Sequence, residues 1–278
     1  MRFTKMQGCG NDYIYVNCFE ESVTAPQELA KAVSDRHFGI GSDGLVLILP
    51  SKIANCRMRM FNSDGSESEM CGNAIRCVAK YVYDRDIIHS RKISVETLSG
   101  IKYITINTDE NDIARTMTVD MGEPVTEAAE IPVKAEISPV TDLKLSALGR
   151  EFTFTCISMG NPHAVTFTEE AVSSFDVEGF GKAFEVDEHF PHRSNIEFAE
   201  IISPTHLKMR VWERGAGETL ACGTGTCATV AAACLNGICP REPVTVDLLG
   251  GQLTIEWNAK DGHIYMTGPA EFVFDGEI

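Results

Sequence analysis

A chain of 278 residues with 44% hydrophobic and 23% charged side chains holds enough apolar material for one large globular core or two of ordinary size. A formal net charge of −16 excludes the basic footprint that nucleic acid or an anionic membrane surface would demand, so no nucleic-acid and no membrane partner is expected. The longest purely apolar run, Leu45–Leu49, has the length of a strand, and Met1–Gln7 holds no apolar stretch of signal-peptide length, so a cytoplasmic protein is expected.

Taken in order, Arg2–Met6 reads as a strand, Gly8–Asp12 as a turn and Tyr13–Val16 as a second strand. Pro26–Asp35 carries an amphipathic helical pattern, with Thr24 as its cap and Pro26 in its first turn. Gly39–Gly44 turns the chain into the buried strand Leu45–Leu49, and Arg57–Phe61 is a further strand that delivers Asn62 to a Gly- and acid-rich loop. That loop ends at Cys71-Gly72, and the run to about Tyr83 is apolar nearly all round, as a helix enclosed by sheet would be. Lys92–Thr97 and Ile101–Ile106 flank the hairpin signal Ser99-Gly100, and Thr116–Asp120 follows. Residues 121–150, with Gly122, Pro124, Pro132 and Pro139, read as a crossing and a variable loop.

The second half repeats the first. Gly160-Asn161 follows the strand Phe152–Ile157 as Gly10-Asn11 follows its own; Ser194-Asn195 precedes Ile196–Ile201 as Ser42-Asp43 precedes Leu45–Leu49; and Lys208–Trp212 delivers Glu213 as Arg57–Phe61 delivers Asn62. The offsets from Asn11 to Asn161, Asp43 to Asn195, Asn62 to Glu213 and Cys71 to Cys222 all lie between 150 and 152 residues. A duplicated unit follows. The fold class is α+β, with two pseudo-symmetric domains from internal duplication, each a curved, mostly antiparallel sheet wrapped around a central helix. Residues 1–120 form the first domain, joined by a returning C-terminal strand at about 267–278, and residues 121–266 form the second.

Both copies place a cysteine at a helix entrance, where the first amides lack internal partners and the helix dipole is positive. A cysteine so placed is expected to carry a stabilised thiolate. Two such entrances facing one another would hold a carboxylate on the amides of Gly72, Asn73, Gly223 and Thr224, with one thiol on each side of the neighbouring carbon. One ionised and one protonated thiol can invert that carbon, since one removes the proton and the other returns it. Ten cysteines in such a chain need no disulfides, and no Cys-x-x-Cys or Cys/His ligand spacing points to zinc, so no metal is expected. Taken alone, Asn11, Asn161 and Asn195 fit ordinary turn residues, Glu213 and Arg214 an exposed ion pair, and His163 a packed histidine.

The motifs Gly8-Cys-Gly-Asn-Asp12, Gly39-Ile-Gly-Ser-Asp43, Phe61-Asn-Ser-Asp-Gly-Ser66, Cys71-Gly-Asn73, Ser158-Met-Gly-Asn-Pro-His163, Glu213-Arg-Gly-Ala-Gly-Glu-Thr219 and Ala221-Cys-Gly-Thr-Gly225 resemble those of the diaminopimelate epimerases, over essentially the whole chain. The resemblance implies a cofactor-independent enzyme interconverting LL- and meso-diaminopimelate in lysine and cell-wall precursor synthesis. It implies that Cys71 acts on the LL side and Cys222 on the meso side, and that Gly72-Asn73 and Gly223-Thr224 bind the reacting carboxylate. Asn62, Asn161, Asn195 and Arg214 would hold the distal amino-acid end, Asn11 and Glu213 would approach the reacting amino group, and His163 and Glu213 would tune the thiols. It also implies a homodimer with a small-molecule substrate as its partner. Three positions depart from the pattern. Gly44 stands where some members have Gln, Ala74-Ile75 replaces Gly-Ala after the first Cys-Gly-Asn, and Phe274 replaces a Tyr linked to dimer formation in some relatives. A racemase or epimerase of proline or hydroxyproline, and a non-catalytic binding protein on the same duplicated fold, remain the alternatives.

Overall fold

A computed structural model describes residues 1–278 and divides them into two compact units, Met1–Asp120 with Thr267–Ile278, and Met121–Met266. No helix is long and apolar enough to cross a membrane. The first unit runs β1 (Arg2–Gly8), β2 (Asn11–Asn17), α1 (Pro26–Ser34), β3 (Gly44–Leu49), β4 (Cys56–Asn62), β5 (Glu67–Ser68), α2 (Gly72–Asp84), β6 (Lys92–Thr97), β7 (Gly100–Thr108) and β8 (Ala114–Asp120). The chain continues through β9 (Leu143–Ala147), β10 (Arg150–Ser158), β11 (Pro162–Phe167), α3 (Val177–Glu185), β12 (Asn195–Ser203), β13 (His206–Glu213), β14 (Gly217–Thr219), α4 (Gly223–Leu235), β15 (Val244–Leu248), β16 (Gly251–Trp257), β17 (Ile264–Pro269) and β18 (Glu271–Glu277).

The ladders of the two units match strand for strand. β1 pairs antiparallel with β2, β2 parallel with β3, β3 antiparallel with β4, β4 antiparallel with β5 and parallel with β6, and β6 antiparallel with β7. In the second unit β10, β11, β12, β13, β14, β15 and β16 repeat that series of pairings in the same senses. Each sheet is therefore mixed: a parallel pair needs a crossover, and in both units a helix supplies it. The outer neighbour of the first strand differs in origin. β18 from the C-terminus pairs with β1, whereas β9, from the hairpin just before it, pairs with β10.

The hairpin β1–β2 turns on Cys9 and Gly10, at φ of 53° and 82°, the left-handed pair that a tight two-residue turn requires. Helix α1 begins at Pro26 as expected, but its cap is Ala25 with no side-chain hydrogen bond, so Thr24 does not cap it. Segment 121–150 is more ordered than its prolines suggest, since it contains β9. Helix α3 carried no strong landmark in the sequence, although Asp176 caps it by accepting from the Gly179 amide.

Helix α2 packs against β1, β2, β7 and β8, and α4 against β10, β11, β12, β13 and β16. Phe3, Ile14, Val16, Leu45, Leu47 and Phe61 form one core of the first unit. In the second, Phe152, Phe154, Phe175, Phe180, Phe184 and Phe198 build an aromatic core with edge contacts such as Phe154–Phe184 at 4.9 Å. Helix α3 lies flat on Trp212 only because residue 181 is glycine: a Cβ there would stand 2.5 Å from the indole. Gly181→Ala is therefore expected to cost about 1–3 kcal/mol by overpacking. Urea denaturation should show a lowered midpoint at unchanged slope, and an unaltered midpoint would contradict this packing.

Candidate active site

The structure joins Cys71 to Asn11 in the first unit, and in the second it sets Glu213 near Cys222 and bonds His163 to Asn161, while the Asn62 side chain bonds to Ser66 and the Arg214 guanidinium to His192 O. Cys71 and Cys222 are the N-caps of α2 and α4, two helices of 13 residues each, with extended backbones at φ/ψ of −135°/125° and −121°/109°. In the first unit β4 ends at Asn62, whose amide side chain donates to Ser66 Oγ at 3.0 Å, and the loop beyond leads to Cys71. In the second, β13 ends at Glu213, whose carboxylate accepts the Thr219 hydroxyl at 2.5 Å, and the loop beyond leads to Cys222.

Around Cys71 the arrangement is a relay of hydrogen bonds. The thiol donates to Asn11 Oδ1 at 3.4 Å, and Asn11 Nδ2 donates to Asp43 Oδ2 at 2.8 Å. Asp43 also accepts the Asp12 amide and, on its other oxygen, Arg36. Asp43 is thus the support of Asn11, a role the sequence did not assign. Asn73 is buried behind Cys71, as is Arg76, one turn along α2. Arg76 donates to Gly72 O and Pro269 O, both at 3.1 Å, which ties the helix entrance to the chain's C-terminal segment.

Cys222 is held differently. Its sulfur accepts the Gly225 amide at 3.4 Å and lies 3.5 Å from the Thr224 hydroxyl. Burial pushes this thiol well above the ordinary cysteine value, and the charges of Glu213 and Glu197 push the same way, while Thr224 and the Gly225 amide pull it down. The expected stabilised thiolate is therefore not what this entrance makes. Desolvation can move a buried group by about 3–5 pH units, whereas a helix terminus contributes about 0.3–2 kcal/mol, equivalent to about one pH unit.

The remaining residues surround α4. His163 is fully buried, with Nδ1 2.6 Å from Glu197 Oε1 and Nε2 3.1 Å from Asn161 Oδ1. Asn195 serves the backbone on both ends of its amide, accepting the Arg214 amide at 2.8 Å and donating to Pro162 O at 3.1 Å. Glu185, at the end of α3, accepts the Gly215 amide at 3.0 Å, so two side chains fix the loop that exposes Arg214. Ladder register refines the correspondence between the units: Tyr13 faces Gly44 and His163 faces Asn195, so Asn195 occupies the place of Gly44, one residue beyond the Asp43 matched to it by sequence. Glu197 and Glu185 went unread. A lone Glu inside the apolar run Ile196–Ala199 was the signal for the first, and nothing marked the second.

The family model for diaminopimelate epimerase matches residues 3–127 and 155–273. The chain belongs to the diaminopimelate epimerase family. A curated relative of that name from Methanococcus maripaludis (strain C5 / ATCC BAA-1333) is 59% identical over 278 residues, covering 100% of this chain and 99% of the relative. One from Acetivibrio thermocellus is 58% identical over 278 residues, covering 100% and 98%. Among solved structures, a phenazine biosynthesis protein of the PhzF family from Bacillus anthracis superposes with a TM-score of 0.72 at 17% identity, covering 100% of this chain and 98% of that one. A hydroxyproline epimerase from Agrobacterium vitis gives 0.69 at 13%, covering 100% and 90%. At those identities the likeness is one of fold.

Asp12, beside the Asn11 relay, supplies a pH test of the first cluster. Burial raises its carboxyl, but hydrogen bonds and charge from Arg36 and Lys5 outweigh that and hold it below the ordinary value. Its folded value lies below an unfolded value of about 4, so the pairing contributes stability above that pH and loses it as pH falls through the folded value. Asp12→Asn is expected to be less stable than the native protein at neutral pH, with the gap closing in acid. A gap that stays constant in denaturation curves from neutral pH downward would contradict this.

Proposed function

We propose that this protein interconverts LL- and meso-2,6-diaminopimelate without a cofactor, as an isomerase of lysine biosynthesis, using Cys71 and Cys222 as a thiolate/thiol pair. The observation that carries the reading is the repeated device: in each unit a cysteine caps a buried 13-residue helix at the end of a polar loop. Family membership supplies the substrate, and the chemistry supplies the rest.

In the LL-to-meso direction, Cys71, once it has given up the proton it donates to Asn11 Oδ1, takes the α-proton as thiolate and leaves an electron pair on carbon. That pair delocalises into the carboxylate, which gains charge and is stabilised by the entrance amides of Gly72, Asn73, Gly223 and Thr224. Cys222, as thiol, returns a proton to the opposite face, and the reverse reaction exchanges the roles. The raised titration of Cys222 suits a group that begins as the acid. Asn11 and Glu213 are assigned to the reacting amino group, and His163 and Glu213 to tuning the thiols. Asn62, Asn161, Asn195 and Arg214 are assigned to the distal head group. The hydrogen bonds of Asn195 to Pro162 and Arg214 make its part in that set one of positioning Arg214. We also read the protein as a cytoplasmic homodimer, with the exposed Val273 and Phe274 of β18 as candidate apolar surface.

Purified, reduced protein is expected to epimerise LL-diaminopimelate and to leave proline untouched. Cys71→Ala and Cys222→Ala should each lower turnover by about 10²–10⁴-fold while retaining ligand binding by calorimetry. Turnover of proline in place of diaminopimelate would transfer the reading to a proline-type racemase, and native turnover in either variant would end it.

A further inference from the structure

The pair His163–Glu197 beneath the second helix entrance has no counterpart in the first unit. By ladder register Tyr13 stands where His163 does and, two residues beyond the facing position, Val46 stands where Glu197 does. Glu197 lies between Ile196 and Phe198 in the interior of β12, with no exposed surface, and its Oε2 is buried without a hydrogen-bond partner. Packing alone favours an apolar side chain there, as at Val46, because a half-satisfied buried carboxyl destabilises the fold.

Both neighbours of the His163 ring are oxygen acceptors, Glu197 Oε1 at 2.6 Å and Asn161 Oδ1 at 3.1 Å. The ring donates Nε2–H to Asn161, so the short contact to Glu197 must itself contain a proton, on nitrogen or on oxygen. Gly225, third residue of α4, opens this pair toward the reacting sulfur. A Cβ at that position would stand 2.6 Å from Glu197 Oε1 and 3.3 Å from Cys222 Sγ, so the absence of a side chain lets carboxyl and thiol flank one small space.

We propose that Glu197 is a positioning residue of the second acid–base site: sharing a proton with His163 and facing Cys222 across the gap at Gly225, it keeps Cys222 a thiol until the carbanion forms. The idea rests on the cysteine-pair reading for its consequence in turnover, but not for its effect on the thiol. The groups that face Cys222 are Glu213 from β13, Glu197 from β12, and the Thr224 hydroxyl and Gly225 amide from α4. His163 on β11 and Cys156 on β10 face Glu197 in turn. Of these, Glu197 is the one carboxyl joined to a buried histidine, and only the second unit has it. The polarity of the pair is thereby built into the fold, with the acid already loaded on the Cys222 side.

The test reads the thiol directly. Thiolate ultraviolet absorbance is titrated in the full-length protein without substrate, and the contribution of residue 222 is taken as the difference from a Cys222→Ser protein carrying the same change at 197. With Glu197→Gln, which keeps shape and removes the carboxyl that shares the proton, the titration midpoint of residue 222 is expected to fall by about one pH unit, so that its thiolate fraction at a fixed pH below the midpoint rises about tenfold. Glu197→Asp, which keeps the carboxyl, should stay within about threefold of native. In the LL-to-meso direction Glu197→Gln should lower kcat with KM unchanged. An unmoved midpoint in Glu197→Gln, or equal changes in the Gln and Asp variants, would overturn the proposal. So would a native Cys222 that titrates at or below the ordinary cysteine value, a result that needs no variant to fold. A protein whose thiol responds as expected but which does not epimerise diaminopimelate would instead count against the function proposed above.

Discussion

A cysteine at the N-cap of a buried helix stands between backbone amides that favour its anion and an interior that disfavours any charge. At α4 the Gly225 amide reaches the sulfur, yet burial with two carboxylates nearby decides the outcome. At α2 the sulfur is instead a donor, to an asparagine that a carboxylate holds in place. The same backbone device thus presents a sulfur that accepts in one unit and one that donates in the other.

What surrounds each entrance follows from the need to hold it still. In the first unit the buried helix carries two cations that its small, apolar neighbours hide. Arg76 directs its donors to Gly72 O, Pro269 O and Cys9 Sγ, and Lys80 to Asp84 and Ala114 O. Buried charges persist only when paired or hydrogen-bonded, so these contacts fix the helix against the β1–β2 turn, β8 and the C-terminal segment. Helix α4 carries no charge at all between Gly223 and Leu235, and its entrance is controlled from the neighbouring strands.

Much of the fold was legible because its landmarks are local. Cys-Gly before a small apolar run, Ser99-Gly100 between alternating segments, and the run Leu45–Leu49 each carry their structure within a few residues, and α2, the β6–β7 hairpin and β3 stand where they pointed. Features set by partners far along the chain were not legible. β9 follows a stretch broken by Pro124, Pro132 and Pro139 and exists through pairing with β10, and the parallel pairings within each sheet depend on crossovers that periodicity does not reveal. The candidate site divides the same way. Cysteines at helix entrances could be read from spacing, but the direction in which Cys222 titrates depends first on burial and then on Glu213 and Glu197, the latter 25 positions earlier in the chain, and the posture of the loop at Arg214 depends on Asn195 and Glu185.

The central claim is that two different thiols, one on each face of the substrate carbon, share the work. It is tested most directly by running the reaction from pure LL-diaminopimelate in deuterated water and analysing both stereoisomers at early times. Two thiols with separate proton inventories require solvent deuterium at the α-carbon of the meso product and none in the recovered LL substrate. Deuterium appearing in recovered substrate as fast as in product, or product retaining the original hydrogen, would show a single base at work and contradict the account.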